Sequence, residues 1–262
     1  MIVGIIGLGI VGSACKFGFE LLGHSVLVHD IKLQTSIDNV LKSDIVFICV
    51  PTPSREDDAC DTSIVESIVE ELKNKNYSGI IAIKSTIEPG TTNRIKEKFS
   101  IEKICFVPEF LRERCAVADF TENHDLCIIG TSSDEVYELV KKCHGYYPKN
   151  FVRLTEDEAE FCKYFNNIYN ATMIIFANSF YEACKIKNVN YTNIKNAITK
   201  RKHINSNYLE CNENFRGFGG VCLPKDTKAI SNMMKNTNIR FFDNLIEENK
   251  KYKTTVFKGM RE

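Results

Sequence analysis

The sequence of 262 residues lacks the marks of several protein classes. It carries no excess of charge, since 34 basic side chains balance 34 acidic ones. That argues against a nucleic-acid binder held by a broad basic field. No apolar run approaches the roughly 18 residues of a membrane helix, so no membrane partner is expected. Six prolines and fourteen glycines do not make a low-complexity linker, and no internal repeat is visible. Eleven cysteines are present, yet no CxxC pair occurs, so no metal site is expected. The opening MIVGIIGLGIVG has neither a basic n-region nor a small-residue cleavage site. A secretory leader is therefore not expected. The cysteines are expected to stay reduced, in a cytoplasmic protein.

What is present is ordinary globular material, with 44% hydrophobic and 26% charged residues. The length exceeds one typical domain, so two packed units are expected. Short apolar runs at 2–6, 25–29, 44–50, 79–84, 103–107 and 126–129 read as buried strands. Residues 13–22, 62–73 and 134–143 read as helices. Such alternation predicts β-α-β units and a parallel sheet. The pattern changes near Leu154. Thr155 and Glu158 form a capping box, and residues 156 to about 187 contain no proline or glycine, which predicts one long helix. Further helices are predicted over 192–200, 226–236 and 241–252. The fold class is thus α/β. A Rossmann-like parallel sheet is expected over 1–154, and an all-α second domain with one long helix over 155–262. The apolar face of Phe241, Phe242, Leu245 and Ile246 suggests a homodimer.

Gly7, Gly9 and Gly12 form a GxGxxG pattern between the first predicted strand and helix. Gly7 allows the tight turn, Gly9 the close approach of a pyrophosphate, and Gly12 the packing of helix on strand. The helix N-terminus would supply free N–H groups for phosphates, with Ile10 and Val11 in the cofactor-binding glycine turn ahead of it. Asp30 ends the next strand at the roughly 20-residue offset of a ribose-binding acid. Its charge would repel a 2′-phosphate, which favours NAD over NADP. The alternative is a glycine-rich turn beside a solvated aspartate. Val50, Pro51 and Thr52 follow another strand end, and Ser85 and Thr86 a third. Small hydroxyls there can bond a nicotinamide or a water, or simply shape a turn.

Residues 215–228 read FRGFGGVCLPKDTK. Gly217, Gly219 and Gly220 allow backbone to approach a ligand closely. Pro224 is expected to open a helix with Asp226 in its first turn. Cys222, at that helix N-terminus and near Lys225, has the setting of an activated nucleophile, although a cysteine is more often a small core residue. Lys163 and Asn167 are spaced i,i+4 on one face of the long helix, either as part of a site or as a surface pair. Glu109 and Glu113 follow a strand and can serve as base and orienter, or belong to a solvated loop.

In these segments the sequence resembles the UDP-glucose / GDP-mannose dehydrogenase family. The matching pieces are GLGIVG at 7–12, VPTP at 50–53, KSTIEPGT at 84–91, PEFLRE at 108–113, EAEFCKYFNN at 158–167 and FGGVCLPKDTK at 218–228, in family order. The resemblance implies NAD-dependent, two-step oxidation of a sugar C6 alcohol to a carboxylate, on a nucleotide sugar such as UDP-glucose. It implies that Cys222 traps the aldehyde and carries a thioester. Lys163 would stabilise oxyanion charge, and Asn167 would hold a substrate or water oxygen. Asp226 would organise a water or Lys163, Thr86 would position water, and Glu109 would act as base in thioester hydrolysis. Glu113 would lie near the nicotinamide. Phe110, Leu111 and Arg112, with Phe218 and Gly219, would line the sugar site.

Three departures stand out. Only about a dozen residues separate Asp30 from the next strand, where the family usually has a longer insertion. His203-Ile-Asn205 replaces a frequent Arg-Ile-Gly. The resemblance covers the first two of the family's three domains, so a short form without the nucleotide-clamping third domain is expected. Two other readings compete. One is a β-hydroxyacid dehydrogenase, which has a similar sheet but needs no cysteine. The other is a non-catalytic or partner-dependent NAD-binding remnant.

Overall fold

The computed structural model describes residues 1–253; residues 254–262 of the expected helical domain lie outside the described residues. Two compact units are formed. Met1–Pro53 with Cys60–Lys163 makes the first, and Ser54–Ala59 with the chain from Tyr164 makes the second.

The first unit is built on a seven-stranded sheet. Its strands are β1 (Ile2–Ile6), β2 (Ser25–His29), β3 (Ile45–Ile48), β4 (Ile80–Ile83), β5 (Ile104–Phe106), β6 (Leu126–Gly130) and β7 (Asn150–Leu154). The spatial order is β2-β1-β3-β4-β5-β6-β7. All pairs are parallel except β5 with β6, which meet antiparallel at Phe106 and Gly130. Helices α1 (Ile10–Leu21), α2 (Ser63–Asn74), α3 (Thr91–Phe99), α4 (Ala116–Thr121) and α5 (Asp134–His144) fill the connections, except between β2 and β3. There two short 3₁₀ turns, Ile31–Leu33 and Ile37–Val40, replace a crossover helix. Side chains alternate along each strand and feed two cores. Val3, Ile5 and Phe47 pack with Phe19 and Phe120, whereas Ile6, Val46 and Ile48 pack with Val65, Val69 and Leu72.

Helix α6 (Glu156–Ile186) is the long helix the sequence predicts. Its capping box forms in both directions: Glu158 Oε2 accepts from the Thr155 N–H at 2.9 Å, and Thr155 Oγ1 accepts from the Glu158 N–H at 3.3 Å. The second unit holds α6 from Tyr164 onward with α7 (Tyr191–Ile198), α8 (Cys222–Met234) and α9 (Phe241–Asn249). Its core joins Tyr164, Ile168, Ala171 and Ile175 to Phe218, Ala229, Ile230 and Leu245. The segment 54–59 is held to this unit by an ion pair of Asp58 with Lys228, at 2.9 Å.

Several expectations need correction. Helix α1 starts at Ile10 rather than 13, because Gly9 is its N-cap. Helix α8 starts at Cys222, so Pro224 is its third residue and Asp226 lies just past its first turn. Strand β7 and helices α3 and α4 were not read from the sequence. On α9 the four apolar residues divide: Leu245 is buried and Phe242 packs beside it, whereas Phe241 is exposed. Exposed aromatics also follow one face of α6, at Phe165, Tyr169, Phe176 and Phe180. Among the described residues no helix is long and apolar enough to cross a membrane.

Candidate active site

In the first unit the carboxyl ends of β1 to β5 open on one edge, because these strands are parallel. Chain order reverses at β1, between β2 and β3, which is where open α/β sheets bind ligands. Gly7 has φ +89°, and a Cβ there would stand 2.6 Å from the Cys49 carbonyl oxygen. A Cβ on Gly12 would overlap the Gly7 carbonyl oxygen. These two glycines serve close packing. Gly9 differs, since nothing lies within 4 Å of where its Cβ would be. Open space therefore faces the first-turn N–H groups at Ile10 and Val11, a fit for a pyrophosphate.

Asp30 Oδ2 accepts from the Leu8 N–H at 2.6 Å, and its Oδ1 accepts from the Lys32 N–H at 2.8 Å. The Leu8 N–H, above all, holds this carboxyl below its usual range. Each oxygen has a second lone pair, the acceptor capacity that paired ribose hydroxyls require. At the β3 and β4 ends the hydroxyls of Ser85 and Thr52 are structural. Ser85 Oγ accepts from the Val50 N–H at 2.9 Å and donates to the Val50 carbonyl at 2.8 Å. Beyond Pro51, Thr52 Oγ1 donates to the Thr86 carbonyl at 2.7 Å, and Thr86 itself is half-buried.

Beyond β5 the chain folds around Glu109. Its Oε2 accepts from the Leu111 N–H at 2.7 Å. Lys163 reaches it from α6, donating to the Glu109 carbonyl at 2.5 Å and to Oε1 at 3.1 Å. Lys163 is only 4% exposed, so this is a buried ion pair, with the Phe110 ring 5.8 Å from Nζ. Removing one partner from such a pair strands the other charge. Arg112 is held through its N–H and Nε to Asp119 Oδ2, both at 2.9 Å, and through Nη2 to Oδ1 at 2.6 Å. Glu113 then opens a short 3₁₀ turn, Glu113–Cys115.

One turn before Lys163 lies a group the sequence reading missed. Glu160 is fully buried and accepts from the Gly90 N–H at 2.5 Å, the Thr92 N–H at 2.8 Å and Thr92 Oγ1 at 2.5 Å. It caps α3 from a distance and ties the end of the KSTIEPGT segment to α6. Burial, opposed by these hydrogen bonds, pushes its pKa up to about 7.

In the second unit, Asn167 Nδ2 donates to Asp226 Oδ2 at 2.6 Å, with both residues buried. Lys225 Nζ stands 3.0 Å from Asp226 Oδ1, an ion-pair contact without hydrogen-bond alignment. Cys222 is the first residue of α8 and the one exposed cysteine of eleven, none of which is in a disulfide. The loop before it has Gly217 at φ +61° and Gly220 at φ +74°. Between them, ahead of Gly219, the Phe218 side chain is committed to the core, at 3% exposed. The structure thus brings Lys163 to Glu109 in one unit and Asn167 to Asp226 in the other. Among the described residues no cluster of His, Cys, Asp and Glu could hold a metal ion.

Residues 31–147 match the NAD binding domain of the UDP-glucose/GDP-mannose dehydrogenase family, and residues 157–251 match its central domain. The UDP-glucose 6-dehydrogenase of Haloferax volcanii is 30% identical, over 88% of this chain and 64% of its own length. That of Rickettsia prowazekii is 31% identical, over 88% of this chain and 55% of its own. A UDP-glucose dehydrogenase from the hyperthermophilic archaeon Pyrobaculum islandicum shares the fold, with a TM-score of 0.87 at 24% identity over 95% of this chain and 68% of that one. The chain therefore spans between 55% and 64% of the two curated relatives. With both matched segments in order along it, the chain belongs to the UDP-glucose/GDP-mannose dehydrogenase family and carries that family's NAD-binding domain.

Proposed function

We propose that the protein is an NAD-dependent oxidoreductase that converts the C6 alcohol of a nucleotide sugar, foremost UDP-glucose, to the carboxylate. The observation that carries this reading is Cys222, the one exposed cysteine, placed as the first residue of α8 behind a loop with two left-handed glycines. A helix N-terminus favours the thiolate, which is the nucleophilic form.

NAD, when bound, takes up the hydride in each of the two oxidations. The first leaves an aldehyde, and the alcohol proton passes to solvent. Cys222 Sγ then adds to the aldehyde carbon, giving a thiohemiacetal. Loss of a second hydride and a proton turns this into a thioester. Glu109 takes a proton from the water that attacks the thioester carbon, and the C–S bond breaks to return the thiolate. The balance is one alcohol, one water and two NAD⁺ consumed, with one carboxylate, two NADH and three protons formed. Lys163, a cation in a buried setting, would stabilise developing alkoxide far better than water does. Asn167 and Asp226 would hold a water or substrate oxygen, and Thr86 would orient the hydrolytic water. The protein would work in the cytoplasm as a homodimer, through the aromatic face of α6.

The test is Cys222→Ser with a panel of nucleotide sugars, following NADH by absorbance and products by chromatography. Acid formation should vanish, because a serine hydroxyl is a weaker nucleophile and its alkoxide a poorer leaving group. Undiminished acid production by this variant would defeat the thioester route.

A further inference from the structure

The loop ahead of Cys222 is fastened by side chains from two helices of its own unit. Asn249, the last residue of α9, pairs with both backbone groups of Phe218: its Oδ1 accepts from the N–H at 2.8 Å and its Nδ2 donates to the carbonyl at 2.9 Å. This reproduces with one side chain the double pairing of a β-bridge. Asn178, 1% exposed on α6, accepts from the Gly217 N–H at 3.2 Å. Arg216 lies between the rings of Tyr181, at 4.6 Å, and Tyr252, at 4.9 Å, and pairs with Glu182. The Phe218 ring is sunk in the core.

Helix α8, in contrast, receives no cap from the side chain of its own N-cap residue. Its N-cap is Val221, which supplies no side-chain hydrogen bond. Where that residue stands depends on the chain that enters the helix. That chain is Gly219-Gly220-Val221, a joint with high backbone freedom, and Phe218 is the last fixed point before it.

We propose that Asn249 is a positioning residue for Cys222. By holding both backbone groups of Phe218 it restricts the diglycine joint and fixes where the first turn of α8 begins. The Cys222 thiolate then stays at the N-terminus of α8, where the helix dipole favours it. Without Asn249 the start of that turn is no longer fixed, and the thiol reverts toward the reactivity of an unstructured cysteine. This rests on Cys222 being the nucleophile of the proposed reaction.

The experiment compares the full chain with Asn249→Leu, which removes both hydrogen bonds, and with Asn249→Asp, which keeps an acceptor for the Phe218 N–H. Iodoacetamide is the probe, and alkylation of the Cys222 peptide is timed by mass spectrometry at neutral pH on samples shown folded by melting curves. Alkylation should slow in Asn249→Leu and recover in part in Asn249→Asp. Turnover of UDP-glucose should show kcat reduced on the order of 10²-fold, the scale of a misplaced reacting group, with KM for NAD unchanged. Folded variants that alkylate and turn over like the wild type would overturn the proposal. A wild type without turnover, whose Cys222 nevertheless slows in Asn249→Leu, would refute the assigned reaction and leave the positioning role standing. Asn249→Asp secures the comparison if the leucine variant does not fold.

Discussion

Glu160 offers a sharp test, because two opposing effects act on one buried carboxyl. Three donors from Gly90 and Thr92 favour its charge, while full burial disfavours it. Burial wins, and the pKa stands at about 7 against an ordinary 4.5. A tenfold difference in proton affinity is worth about 1.4 kcal/mol. The gap between about 7 and 4.5 therefore corresponds to roughly 3 kcal/mol. The sign follows from proton counting. Between these values the folded state holds a proton that the unfolded state has released, so stability falls as pH rises. The contribution is complete below 4.5 and is lost as pH passes through about 7.

Glu160→Gln removes the titration and keeps the shape. It also turns an NH₂ group toward the Gly90 or Thr92 N–H. One donor is then left without its acceptor, at a pH-independent cost of about 1–3 kcal/mol. The offset between the two proteins is therefore uninformative, and the slope is what matters. Urea unfolding from about pH 5 to about pH 8 should show the variant gaining on the wild type by up to roughly 3 kcal/mol. Other titrating groups, buried histidines included, cancel in this difference. A difference that stays flat would mean that Glu160 has ordinary acidity. One that favours the wild type at high pH would mean that the three hydrogen bonds outweigh burial.

Two further expectations concern the glycine loop and the surface. Gly9→Ala should leave the melting temperature unchanged, since its Cβ meets nothing within 4 Å, yet weaken NAD binding by calorimetry; Gly12→Ala should also destabilise the fold, by about 1–3 kcal/mol, as overpacking does. Equal effects of the two changes on stability would refute the division of roles between these glycines. Phe176→Lys, at an exposed position on α6, should shift the protein to a monomer in light scattering without loss of helix content, and an unchanged mass would remove α6 as the dimer face.

Where the sequence could be read, local physics decided the structure. Continuous apolar runs became strands β1 to β6, though β2, at the sheet edge, is only half-buried, and the Thr155–Glu158 box marked the start of α6 within a residue. Misreadings arose where local cues conflict. The glycine pattern at 7–12 suggests a loop, yet only Gly7 has a left-handed backbone there, and the helix is already under way at Ile10. Pro224 suggests a helix start, but proline is tolerated anywhere in a first turn, and α8 begins two residues earlier, at Cys222. Strand β7 carries exposed Asn150 and Arg153 at the edge of the sheet. It has no apolar run to announce it, as edge strands often do not.

The site divides along the same line. Cys222, Lys163, Asn167, Asp226 and Glu109 could be named because each lies in a short segment with family character. What holds them could not. Glu160 is 68 residues from Thr92, and Asn249 is 31 from Phe218, and neither spacing has a sequence period. A lone glutamate or asparagine on a helix is ordinarily a solvated residue. Only burial in the folded chain turns it into an obligatory partner, because the backbone N–H groups it meets have no water to fall back on. The pairing of Asn167 with Asp226 has the same character: a buried carboxylate whose Oδ2 is met by an amide, an arrangement costly to desolvate unless it is kept for a use. Side chains that carry reactive atoms are thus legible by type and motif, whereas those that aim them are legible only by what they touch.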